Sequence, residues 1–168
     1  MPKLRAKFAA LVVAILATLS VVTPAASATS SGEWKTYGPY SFVFDLQSRT
    51  CMVSISGGAT YEGSCAASGT RGRWHVRYNT VTHLVALHNV AYDTCLNVDS
   101  NFKVTTGGCS SIWTQGFNEE KISAGTSKHS GRYMYHPLAD ASKCLLRGWY
   151  IGSCSDTGAV YYQYYNAP

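Results

Sequence analysis

The sequence predicts an all-β domain in which one short-stranded unit is written three times, and three observations carry that expectation. The first is the repeat itself. An ungapped run of eleven residues leads into each of three cysteines: YSFVFDLQSRT before Cys51, LVALHNVAYDT before Cys95 and YMYHPLADASK before Cys144. Each cysteine is followed by an apolar residue (Met52, Leu96, Leu145), and each unit closes on Gly63-Ser64-Cys65, Gly107-Gly108-Cys109 or Gly152-Ser153-Cys154, with a period of 44 to 49 residues. The second is strand patterning: short β-prone runs alternate with turn residues throughout. The third is the lack of any sustained 3.6-residue apolar period with caps, which predicts little or no helix beyond the N-terminal leader. Units this short cannot each bury a core, so they share one around a pseudo-threefold axis. Six strands forming a short barrel and six capping it as three hairpins make a β-trefoil. A three-bladed propeller is the formal alternative, but it closes poorly.

Taken in order, residues 1–28 hold a basic region (Lys3, Arg5, Lys7), an apolar run over 8–22 and the small residues Ala26-Ser27-Ala28. This is the pattern of a secretory signal peptide, removed from the mature chain. No other run approaches the roughly 20 apolar residues that span a bilayer, so the mature chain is expected to be extracellular, without a membrane span. Residues 29–39 match no unit; polar at first, they then carry Trp34 and Tyr37, and they read as an N-terminal extension, an arm that could meet a partner. A single trefoil domain follows over 40–168, with units at about 40–78, 79–122 and 123–168. Within each unit, SFVF-type and CMVSI-type strands flank Ser56-Gly57-Gly58, Asp99-Ser100-Asn101 and Arg147-Gly148, which are turn chemistry. A third strand enters the second cysteine (ATYEG, KVTTG, WYIG), and a fourth follows a polar link: GRWHV at 72–76, QGFNE at 115–119 and VYYQYY at 160–165.

Composition excludes some partners. Of the 14 Lys and Arg, three leave with the leader, so 11 remain against 9 Asp and Glu, a net charge of +2. That is no warrant for a nucleic-acid partner or a charged membrane surface. The mature part keeps all 4 Trp and 12 Tyr, side chains that pair a flat apolar face with a polar handle. The even number of cysteines in an exported chain argues for disulfides. If the units fold alike, the pairs are Cys51–Cys65, Cys95–Cys109 and Cys144–Cys154, and the spacings C-x13-C and C-x9-C are not those of a metal site. No metal and no cofactor is expected.

Cys95-Leu96-Asn97-Val98, then Gly108-Cys109, then Gln115-Gly116-Phe117 resemble one repeat of a ricin-B-type lectin domain, whose repeats run C-L-D-x, a second cysteine and Q-x-W. Cys51-Met52 with Cys65 and Trp74, and Cys144-Leu145 with Cys154, are more divergent copies. The resemblance covers residues 40–165 and implies a β-trefoil that binds carbohydrate. In that family an Asp two residues after the first cysteine accepts sugar hydroxyls, an aromatic ring near the second cysteine stacks on the sugar, and an Asn before the Gln adds a polar contact. Here the Asp position holds Val53, Asn97 and Leu146; the aromatic position holds Gly63, Gly107 and Gly152; Thr114 precedes Gln115. The Gln is replaced by Gly72 in the first unit and falls at Tyr162 or Gln163 in the third. The resemblance thus implies at most one inherited sugar site, around Asn97, Asp99, Thr114 and Gln115, although Gln115 could equally serve only to tie down the turn between units. A different site could use Phe102, Trp113, Trp149 or Tyr150, each on an expected turn or short strand.

Catalytic constellations do not emerge. His75, His83, His88, His129 and His136 lack metal-ligand spacing, no G-x-S-x-G elbow occurs, and no thiol is left over. Glu62, Asp93, Glu119 and Glu120 could pair for glycoside hydrolysis, but Glu119-Glu120 reads as a solvated linker. The expectation is a binding protein, not an enzyme. Its partner is an extracellular glycan or, alternatively, a secreted protein that it serves as adaptor, inhibitor or accessory subunit of a toxin complex.

Overall fold

The computed structural model describes residues 32–110, 112–125 and 130–164. The expected leader lies outside them. Twelve strands follow in order: β1 (Trp34–Asp45), β2 (Thr50–Ser54), β3 (Thr60–Ser64), β4 (Trp74–Asn79), β5 (Val85–Asn89), β6 (Thr94–Val98), β7 (Val104–Gly107), β8 (Phe117–Ala124), β9 (Gly131–Pro137), β10 (Lys143–Leu146), β11 (Tyr150–Ser153) and β12 (Tyr161–Tyr164). Among the described residues, helix is confined to a 3-10 turn at Gly69–Gly72 and one α-helical turn, α1 (Ile112–Gln115), each in the link after the second cysteine of its unit.

Antiparallel pairing closes a ring: β1 joins β4, β4 joins β5, β5 joins β8, β8 joins β9, β9 joins β12, and β12 returns to β1. Closure leaves none of these six strands as an exposed edge. The remaining strands form three hairpins, β2-β3, β6-β7 and β10-β11. The fold is a β-trefoil.

Strand alternation explains which residues fill it. In β9, Tyr133, Tyr135 and Pro137 point inward while Arg132, Met134 and His136 do not, as a period of two demands. Trp74, Phe117 and Tyr161 each open the last strand of their unit, and all three are fully buried. Met52, Leu96 and Leu145, the residues after the first cysteines, form a second buried triplet. Burying one such large side chain contributes roughly 1.5–3 kcal/mol. Each unit is stapled by its own disulfide, with Cα–Cα separations of 5.0, 5.0 and 4.9 Å for Cys51–Cys65, Cys95–Cys109 and Cys144–Cys154. In the chain-entropy account each staple contributes about 3 kcal/mol.

Two features differ from the sequence reading. Of the 29–39 segment read as an arm, residues 34–39 form the first half of β1: residues 34–37 pair with 79–76 of β4, and Tyr37 packs against the core. Trp34 lies under the Arg77 guanidinium, 5.5 Å from its ring centroid. Glu119-Glu120 belongs to β8, not to a linker, and pairs across to Tyr135 and Met134.

Candidate functional site

The hairpins converge around the pseudo-threefold axis through specific links. The amide of Thr106 donates to the Gly58 carbonyl at 2.6 Å, and a Cβ on Gly58 would come within 2.7 Å of the Thr106 carbonyl oxygen, so only glycine fits that tip. Lys103 bridges to Tyr150, and Arg147 grips Glu62 through two hydrogen bonds of 2.7 and 3.0 Å. Such a bidentate pair is geometrically fixed.

This convergence decides the fate of the hairpin-tip aromatics. Phe102 and Trp149 occupy matching turn positions with φ of 61° and 65°. Trp149 is only 9% exposed and lies 6.3 Å from Tyr161 in a stacked arrangement, and Phe102 also packs on the core. For both rings the sequence left open a surface contact or packing in the hairpin caps; in the structure both pack on the core. Tyr150, next to Trp149, is 52% exposed.

The remaining sequence-chosen residues lie on the second unit. Asn97 in β6 faces Thr105 in β7, with its amide 3.5 Å from the Thr105 hydroxyl, a long bond that leaves most of its hydrogen-bonding capacity unused. Asp99 is committed to the turn: one carboxylate oxygen accepts from the amides of Asn101 and Lys103 at 2.8 and 3.0 Å. Gln115 is buried and donates to the Gly108 carbonyl at 2.6 Å, which ties α1 back to the loop around Cys109. Half-buried Thr114 precedes it. α1 packs against β6 and carries Trp113, which is 72% exposed, the most exposed of the large hydrophobic side chains among the described residues. The third unit resolves differently from the sequence alignment. With Tyr161 in the place of Trp74 and Phe117, the counterpart of Gln115 is buried Ala159, not Tyr162 or Gln163.

The four carboxylates weighed for catalysis are engaged separately. Glu62 holds Arg147, Asp93 holds His88 at 2.7 Å, Glu120 holds His136 at 3.0 Å, and Glu119 accepts from the Tyr135 hydroxyl at 3.2 Å. His136 lies 3.5 Å from both Cys144 and Cys154 sulfurs, but these are bonded to each other and are not available as thiolates. His75 and His88 stack at 6.0 Å, and burial, then the neighbouring His88, holds the His75 pKa below its ordinary value. Burial pushes Tyr133 up to about 12, with Glu119 adding to the shift, and Tyr135 and Tyr161 well above the ordinary phenol range. His129 lies outside the described residues.

The sequence reading placed no binding site at a cleft between the mouth of the β8-β9 hairpin and β12, lined by Ser123, Arg132, Tyr162 and Tyr164 among others; it named Tyr162 only as a candidate for the third unit's Gln position. The signal for the cleft was the alternation of tyrosines in VYYQYY.

No protein-family model matches the chain, and no curated protein matches it. Solved structures do. The trefoil is similar to a mosquitocidal holotoxin (TM-score 0.60, 16% identity, covering 80% of this chain), a designed threefold-symmetric protein, ThreeFoil (0.58, 15%, 76%), and the Haemophilus ducreyi cytolethal distending toxin (0.56, 11%, 77%). The chain spans 98% of the ThreeFoil chain and 84% of the matched cytolethal distending toxin chain. It spans only 17% of the holotoxin chain, and 32% of a Clostridium perfringens endo-β-galactosidase chain matched at a TM-score of 0.59 and 9% identity. At these identities the likeness is one of fold. Among the described residues no helix is long and apolar enough to cross a membrane.

Proposed function

We propose that the mature chain is an exported, non-catalytic binding module, and that it holds a carbohydrate on the face formed by β6, β7 and α1. Trp113 carries this reading. An indole left 72% exposed on a short turn whose Gln115 is bonded to the Gly108 carbonyl is an accessible apolar plate. Such a plate suits the C–H face of a sugar, while Asn97 on the adjoining strand keeps amide donors and an acceptor for hydroxyls. The resemblance of Cys95-Leu96-Asn97 and Gln115-Gly116-Phe117 to a ricin-B-type repeat supports the same face. Separate engagement of the four carboxylates, and the absence of a free thiol among the described residues, favour binding over catalysis.

The test is retention on a polysaccharide panel by affinity electrophoresis. Trp113→Ala should weaken binding to the retained polysaccharide about three- to tenfold, the range for one lost aromatic contact, and Asn97→Ala should weaken it further. Unchanged retention in both variants overturns the assignment.

One observation favours a second reading. Val53 and Leu146, at the sugar-acceptor positions of the first and third units, are fully buried core residues, so those units offer no inherited site. A module with one weak site lacks the avidity of several. A role as protein-binding subunit, in an assembly of the kind the toxin matches suggest, follows from that. Under it, purification from the native secretion brings down a stoichiometric protein partner that free sugar does not displace.

A further inference from the structure

The cleft beside β12 shares no residue with the β6-β7 face. Its volume is about 310 Å³, within the range of small-molecule sites. Tyr162 and Tyr164, two apart on one strand, share a face, and their rings lie 6.4 Å apart at 23°, a short row. The row is held from beneath: both rings pack on the cluster of Val43 with the Cys51–Cys65 disulfide. A platform fixed in this way loses little entropy when a ligand covers it.

Arg132 stands directly across from Tyr162 in the β9-β12 ladder, with its guanidinium 5.3 Å from the Tyr162 ring centroid. The ring contact orients the guanidinium while leaving its N–H edge available for a planar anion. Arg132 is exposed and has no carboxylate partner among the described residues, and no Asp or Glu lines the cleft. Ser123, opposite Arg132 in the β8-β9 ladder, adds a hydroxyl.

We propose that this cleft is a second binding site and that it takes a carboxylated sugar, a uronic or sialic acid residue. The acid group pairs with the Arg132 guanidinium, which already lies over the Tyr162 ring, and the sugar's C–H face packs beside it on Tyr164. Neutral sugars gain the second interaction without the first. The proposal does not depend on the Trp113 face.

The full mature chain, titrated by NMR with methyl glucuronide, its methyl ester, methyl glucoside and N-acetylneuraminic acid, tests this. The expected result is saturable shifts of the Tyr162 and Tyr164 ring resonances with at least one of the two acids, at least about tenfold weaker with the ester and the glucoside, as for loss of a charge-assisted hydrogen-bond pair. Arg132→Gln should remove the preference for the acid, and Arg132→Lys should restore part of it; Trp113→Ala should leave it unchanged. The thermal midpoint of each variant establishes that it folds. Equal binding of acid and glucoside, shifts that avoid Tyr162 and Tyr164, or an undiminished preference in Arg132→Gln overturns the proposal.

Discussion

The indole N–H of Trp74 donates to the carbonyl oxygen of Met52 at 3.0 Å, and neither residue has exposed surface. The bond ties the last strand of the first unit to the hairpin strand β2. Phe117 and Tyr161 stand in the same place in the other units, one with no donor and one with a hydroxyl that has no partner among the described residues. One pseudo-symmetric position is thus filled in three chemically different ways, and the differences are measurable.

Trp74→Phe removes ring volume and a buried hydrogen bond together. A cost of about 2–3 kcal/mol is expected, read as a lower denaturant midpoint with an unchanged slope. A loss below about 0.5 kcal/mol would mean that the site repacks and that the bond to Met52 contributes little.

Tyr161→Phe should act in the opposite direction. An unsatisfied buried hydroxyl costs roughly 1–3 kcal/mol, so deleting it should raise stability by about 1 kcal/mol. Because burial holds this phenol well above its ordinary pKa of 10, the unfolded chain ionises first as pH rises. Stability linked to Tyr161 is therefore present below about pH 10 and lost above it, and the variant should flatten that part of the alkaline profile.

His75 supplies the acid counterpart. Its folded pKa lies below the ordinary 6.5, so the unfolded state binds the proton first. The destabilisation linked to His75 is absent above about pH 6.5 and grows as pH falls through that value toward the lower folded pKa. His75→Gln should shrink the drop in thermal midpoint between pH 7 and pH 5. An identical drop in the variant would assign the acid sensitivity to other groups.

The trefoil was legible because its information is periodic: the run before each cysteine, the apolar residue after it and the closing small pair recur in register. What escaped depends on where strands meet. The link from Cys154 to Tyr161 is shorter than those from Cys65 to Trp74 and from Cys109 to Phe117, and this hid Ala159 as the counterpart of Gln115. Phe102 and Trp149 lie at turns, ordinarily surface positions, but these turns face the axis. Residues 34–37 repeat nothing, so periodicity could not place them in β1. Arg132 and Tyr162 are 30 positions apart and meet only through the β9-β12 ladder.

The most direct measurement is capture by a tagged chain of residues 29–168 from the producing cells' culture fluid and surface material, eluted first with free saccharides and then with denaturant, with mass spectrometry of both fractions. The carbohydrate reading predicts release of glycan or glycoconjugate in the saccharide step, and a reduced yield of that capture in Trp113→Ala. A stoichiometric protein that elutes only with denaturant, and is captured equally by Trp113→Ala, would contradict it.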